Sequence, residues 1–188
     1  MNGMTVFSAI LAFFPLAHAL SVLAALLLSV RALATGDLMS AAVFGSLTLF
    51  NLYLLAPLLF RLHERFFPLQ SEVSRIDSSE VDNRYSPWWG GHQLQGLYIS
   101  FPTIESALRL VPGAYSAWLR LWGSVVGRGV YWTPRVQILD RSLVKIGDSV
   151  IFGHEVDLCS HVVMKTKKGL RLYVKEVEIG SDCLIGAH

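Results

Sequence analysis

The stretch Ile146-Gly-Asp-Ser-Val-Ile-Phe-Gly-His-Glu-Val-Asp-Leu-Cys-Ser-His-Val-Val163 divides into three sixes, beginning at Ile146, Phe152 and Leu158. After an interruption the pattern resumes as Ile179-Gly-Ser-Asp-Cys-Leu184 and Ile185-Gly-Ala-His188. The first position of each six is large and apolar, and Gly follows it in four of the five. The fifth position is small or β-branched in all four complete units. Each hexad is about one flat strand plus a turn, so three make one triangular coil with the apolar first residues stacked inside. A single coil cannot bury its inner face alone, and repetition supplies the core. Upstream, Val130–Arg135 and Val136–Arg141 fit the pattern less well. Ten residues separate Val136 from Ile146, which makes that corner irregular.

Outward from the repeat, the sequence changes character. The chain has 188 residues, 53% hydrophobic and only 16% charged, with a mean hydropathy of +0.47. Globular domains carry roughly 25% charged residues, so the deficit needs a location. Residues 1–60 hold only Arg31 and Asp37 as formal charges. Met4–Val30 and Leu38–Phe60 are apolar runs of 27 and 23 residues, and crossing a membrane takes about 20. Two transmembrane helices joined by a tight hairpin are the expected structure, with Pro15 and Pro57 as kinks. Ala17-His18-Ala19 mimics a signal-peptide cleavage site, but Met1–Met4 carries no Lys or Arg and the run continues beyond Ala19. Arg61, Arg65 and Arg75 against the lone Arg31 place the C-terminal part in the cytosol, the expected site being the inner or plasma membrane.

The middle of the chain reads as a connector. Ser71–Arg84 is polar and mixed in charge, as in a linker. In Ile104–Trp122, residues Leu108, Val111, Tyr115, Trp118, Leu119 and Trp122 fall at helical spacing, with Pro112 dividing the segment into two short helices. Such a stripe suits interfacial helices at a membrane, or amphipathic helices packed on the protein's own core. The expected domains are a helical hairpin over 1–65, a linker with amphipathic or interfacial helices over 66–129, and the repeat over 130–188. The last hexad stops midway, so truncation of the repeat is expected there.

The net charge of +2 and the lack of a basic-aromatic recognition motif argue against nucleic acid. Cys159 and Cys183 suit reduced thiols in a cytosolic compartment, with a single disulfide left open. No zinc-type Cys pair, phosphate-binding glycine loop or serine nucleophile elbow occurs.

The segment Ile146–Gly153, then Asp157-Leu-Cys-Ser-His161, an insertion, and Val177-Glu-Ile-Gly-Ser-Asp-Cys-Leu-Ile-Gly186 resembles the hexapeptide-repeat acyltransferases. It is most similar to a membrane-linked subgroup that also forms the C-terminal part of poly-lysine-synthetase-like peptide synthetases. The resemblance covers roughly residues 85–188, including a helical lead-in over Leu108–Gly129. It implies a left-handed parallel β-helix, so the fold class expected is membrane α plus β. It also implies acyl transfer from acyl-CoA, or from a phosphopantetheine-carried acyl group, to a hydroxyl or amine acceptor, with a His as general base. His161 matches the subgroup's His immediately before the insertion, and His154 would orient it or bind substrate. His188 is a third histidine of the repeat.

The insertion Lys165–Lys175 holds five basic residues and no acid. Lys165, Lys167, Lys168 and Arg171 would hold the donor's phosphates or anionic lipid headgroups. Cys159 reads as a small stacked core residue, with a nucleophile as the alternative although no base is implied beside it. A γ-type carbonic anhydrase shares the repeat and takes zinc from three histidines, but no short His-x4-His pair occurs, so no metal is expected. Expected partners are membrane lipid, the acyl-donor thioester, and a carrier protein or synthetase. Many members trimerise, so a homo-oligomer stays open, and a non-catalytic membrane scaffold for a synthetase is the alternative function.

Overall fold

A computed structural model of the chain describes residues 6–69, 85–167 and 169–187. The expected linker from 71 to 84, Lys168 and His188 lie outside the described residues. Two helices, Val6–Ala34 and Leu38–Phe66, are each 29 residues long and apolar enough to cross a membrane. Only 17% and 22% of their most apolar windows are buried within the protein, so most of their leucine surface faces outward.

The first helix is α1 (Val6–Ala12) and α2 (Phe14–Ala34), broken just before Pro15. Proline has no N–H to give the preceding turn, so the chain bends there and restarts with Pro15 in the first turn. Gly36, at φ +78°, ends α2, while the Asp37 side chain accepts the Ser40 N–H at 3.0 Å and starts α3 (Leu38–Phe50). This cap-to-cap junction produces the tight hairpin. The two helices meet through small side chains: Ala25, Ser29 and Ala32 are buried, as is Ala41 opposite, and Ser29 Oγ–H donates to Ala41 O at 2.9 Å.

A π-helical segment (Asn51–Leu55) separates α3 from α4 (Ala56–Phe66). It precedes Pro57, which cannot donate to the Tyr53 carbonyl four residues back. Side chains take over there. His18 Nε2 bonds Asn51 O at 2.7 Å, Tyr98 OH donates to Leu52 O at 2.8 Å, and Trp118 Nε1 donates to Tyr53 O at 2.8 Å. The disturbed turn thereby becomes the anchorage for the helices that follow, α5 (Pro87–Ser100), α6 (Thr103–Leu108) and α7 (Ala114–Trp122).

The break at Pro112 gives two short helices, as expected. The stripe on α7 does not lie on a membrane surface, however. Tyr115, Trp118, Leu119 and Trp122 are all at most 3% exposed and form one core with Phe60, Leu94 and Tyr98. The protein's own helices offer those rings complete burial and a carbonyl for the Trp118 N–H, so of the two expected placements these residues take the one on the protein's own core.

The remaining chain is made of short parallel strands. Sheet one joins β1 (Val125–Val126), β4 (Val144–Ile146) and β9 (Val177–Ile179). Sheet two joins β2 (Tyr131–Trp132), β5 (Ile151–Phe152) and β10 (Leu184–Ile185). The third pairs β3 (Gln137–Ile138) with β6 (Asp157–Leu158). Successive strands therefore visit the three sheets in rotation. An antiparallel hairpin, β7 (His161–Thr166) and β8 (Gly169–Val174), forms the insertion and interrupts the rotation.

The hexad register is visible in burial: first positions Ile146 and Phe152 and fifth positions Val150 and Val156 all point inward. Gly in the second position has a steric cause. A Cβ on Gly147 would stand 2.5 Å from Ser181 N, and one on Gly153 2.6 Å from Ala187 N, in the next layer.

The upstream register differs from the expected one. Val126, Trp132 and Ile138 are the true partners of Ile146, Phe152 and Leu158, so the β part begins at Val125, before residue 130. The offset arises because the corner after Ile138 is two residues longer than a hexad allows.

Candidate functional site

That long corner carries Asp140 and Arg141, and both are buried. Arg141 is the anchor. Its guanidinium pairs with Glu105 on α6, bonds Gln95 Oε1 on α5 at 3.2 Å and faces the rings of Tyr98 and Trp118. Its backbone N–H also donates to Gln95 Oε1, at 2.9 Å, and Ser124 Oγ–H donates to its carbonyl. Glu105 is completed by the Tyr115 hydroxyl at 3.0 Å, whose own pKa burial pushes well above the ordinary tyrosine value. A buried ion pair is tolerated only when such partners satisfy it. The consequence is a corner held fast between helices and strands.

Asp140 is thereby aimed at the next layer. Trp88 Nε1–H, from the first turn of α5, donates to Oδ1 at 3.1 Å. Ser160 N–H donates to Oδ2 at 3.0 Å, and His161 Nδ1 lies 2.7 Å from the same oxygen. The His161 side chain is 16% exposed against 3% for Asp140. With Nδ1–H bonded to the carboxylate, Nε2 is left as the basic nitrogen, the arrangement that fixes tautomer and ring orientation in hydrolytic dyads. Among the described residues Nε2 has no hydrogen bond. The Trp88 ring lies 4.7 Å from the His161 ring, and the His92 ring stands edge-on to it at 5.9 Å.

His92, one turn after Trp88, has a buried Nδ1 with no partner among the described residues. Burial holds its pKa below the ordinary histidine value, opposed by Asp140 and reinforced by His161 and Arg141.

Cys159 contradicts its expected role. It is exposed, its Sγ lies 3.6 Å from His161 Nδ1, and its thiol donates to His161 O at 3.0 Å. Second hexad positions sit on the outside of a corner, whereas first and fifth positions are inside, so a core placement was not available to it.

Asp140, Cys159 and His161 bring one donor atom each within 4.8 Å of one another and are compatible with a divalent ion. The dyad describes them better, since 2.7 Å between Oδ2 and Nδ1 is a hydrogen-bond length and Ser160 already occupies that oxygen.

The other sequence candidates fall elsewhere. His154 is half exposed and lies 3.7 Å from Glu155 Oε1, which pairs with Arg135 at 2.6 Å. This is a different corner, and no contact joins His154 to His161 among the described residues. The hairpin also separates the basic set. Cross-strand partners share a face, and Met164 pairs with Arg171 while Lys165 pairs with Leu170. Lys165 therefore shares the His161 face, Arg171 lies on the opposite face, and Lys167 is in the turn. These residues do not converge into one clamp. Trp88, His92 and Asp140 were missed in the sequence, and the irregular corner was the one signal that pointed toward Asp140.

Comparison with protein-family models, curated proteins and solved structures finds no match to this chain.

Proposed function

We propose that this chain is a membrane-bound acyltransferase with a left-handed β-helix on the cytosolic side, and that His161 is its general base. The observation that carries the reading is the Asp140–His161 pair, with Nδ1 tied at 2.7 Å and Nε2 left for a substrate proton. The acceptor's O–H or N–H gives its proton to Nε2 as the heteroatom attacks a thioester carbonyl. Collapse of the tetrahedral adduct breaks the C–S bond, and the imidazolium returns the proton to the leaving thiolate. Asp140 favours the imidazolium in between. The rotation of strands through three parallel sheets supports a β-helix, and the two long apolar helices support a membrane anchor. Lys165, on the His161 face of the hairpin, would meet the phosphates of a CoA or carrier-bound donor.

The test is release of free thiol from acetyl-CoA in the presence of candidate amine and hydroxyl acceptors. His161→Ala is expected to lower the rate by at least about a hundredfold with an unchanged melting temperature. An undiminished rate in that folded variant rejects His161 as the base.

A further inference from the structure

The proposed base chemistry uses Asp140 and His161 and leaves Cys159 beside them without a task. Cys159 and His161 flank Ser160, whose N–H holds Asp140 Oδ2, and the thiol, the imidazole and the carboxylate converge within 4.8 Å of one another. No other set of three His, Cys, Asp or Glu side chains among the described residues brings its donor atoms so close. Asp140 is buried and fixed by Trp88 and Ser160, whereas Cys159 is open to solvent. The trio therefore has one preorganised oxygen and a route in from the thiol side.

We propose that Asp140, Cys159 and His161 form a regulatory site for a zinc-class divalent ion, which switches the base off by taking the place of the Nδ1 proton. The site stands on geometry, and the switching rests on the acyltransferase reading with His161 as base. Zinc takes nitrogen at about 2.0–2.1 Å and thiolate at about 2.3 Å, so two such ligands on a tetrahedral ion stand roughly 3.6 Å apart. Cys159 Sγ and His161 Nδ1 are 3.6 Å apart. The same reckoning asks for roughly 3.3 Å between a carboxylate oxygen and the nitrogen, against 2.7 Å between Asp140 Oδ2 and Nδ1. The partly exposed imidazole swings outward by about 0.6 Å to admit the ion. Charge and softness choose the ion: a carboxylate and a thiolate cancel two positive charges, and sulfur with imidazole favours zinc over magnesium or calcium. Water takes the fourth position on the exposed side, as in other three-ligand zinc sites.

The protons balance as follows. Cys159 releases its thiol proton to solvent when the ion binds. The neutral imidazole keeps its single proton, which moves to Nε2 because the ion occupies Nδ1. The lone pair that would accept a substrate proton is then gone, so bound zinc and general-base catalysis at His161 exclude each other.

The experiment uses the full chain in lipid nanodiscs, with Co²⁺ as the coloured substitute for zinc. A thiolate-to-cobalt charge-transfer band is expected in the near ultraviolet, saturating at one ion per chain and bleached by added Zn²⁺. Cys159→Ser is expected to lose the band and Cys183→Ser to keep it. Zinc affinity, read by competition with a chromogenic chelator, is expected to fall at least about tenfold in Cys159→Ser and in His161→Ala. Melting temperatures identify the variants that fold, and His161→Ala carries the test should Cys159→Ser fail to fold. A missing band, a band that survives in folded Cys159→Ser, or unchanged affinity in folded His161→Ala overturns the site. Acylated acceptor, measured by mass spectrometry, is expected to stop forming at the zinc concentration that fills the site, and full transfer at saturation overturns the switch. A His161→Ala protein that is fully active yet binds zinc more weakly rejects the proposed base and leaves the metal site standing.

Discussion

Asp140 touches His161, Trp88 and Ser160 at once, so small changes at this side chain separate geometry from charge. Asp140→Asn keeps the volume but offers an acceptor or a donor to Nδ1, not a charge. If His161 is the base, turnover is expected to fall by about a hundredfold to ten-thousandfold, measured by thiol release, with the fold retained by near-ultraviolet circular dichroism. His92 makes a pH prediction. Its folded pKa is lowered, so between that value and the unfolded value near 6.5 the unfolded chain binds more protons than the native one. Its contribution to stability is therefore complete above about pH 6.5 and is lost as pH falls through the folded value. His92→Gln, which cannot charge, is expected to show a smaller fall in melting temperature than the parent between pH 7.5 and pH 5.5. Equal falls in the two proteins reject the assignment.

At the scale of elements, the π segment and the glycine corners explain more than propensity does. Trp118 and Tyr98 donate to carbonyls that the π turn and Pro57 leave available, in the middle of an otherwise apolar helix. Trp118→Phe leaves the Tyr53 carbonyl buried without that donor, and a loss of about 1–3 kcal/mol is expected in thermal or denaturant unfolding. The stacked corners give a second expectation. Gly147→Ala places a methyl 2.5 Å from the backbone nitrogen of Ser181, where the neighbouring strand layer must move. Overpacking of this kind costs typically 1–3 kcal/mol. By contrast, Gly180→Ala meets open space and is expected to be near neutral.

At the scale of the whole molecule, one ion pair bridges the two halves. Arg141 belongs to the strand region and Glu105 to the helices, and both are buried. Arg141→Met alone strands the carboxylate and is expected to destabilise the protein by about 3–5 kcal/mol. The double change Arg141→Met with Glu105→Leu is expected to recover a large part of that loss, because the desolvation penalty disappears with the charges. Recovery of melting temperature without recovery of turnover would show that the pair's role is to aim Asp140. The same bridge explains why the helices cannot be treated as a separate membrane collar: α5 supplies Trp88 to Asp140 from its first turn and Gln95 to Arg141 two turns later.

Much of this was legible in the chain itself. The apolar runs were long enough to announce two helices able to span a membrane, the short gap between them announced a tight hairpin, and Pro112 split the following helix. Hexad spacing located the strands after Ile146, because side-chain size at the first position and the absence of a Cβ at the second are local demands. His161 was singled out through the resemblance, by its place before the insertion. What only the tertiary structure decided depends on contacts distant in sequence. The upstream register slid to Val126, Trp132 and Ile138 because strand pairing across layers, not local pattern, sets the phase. The aromatic stripe turned inward against the helical core, where the π turn offered Trp118 a carbonyl partner 65 residues away. Asp140, Trp88 and Cys159 gathered around His161 because two irregular corners stack on each other beneath α5, a coincidence of layers that no one-dimensional period encodes.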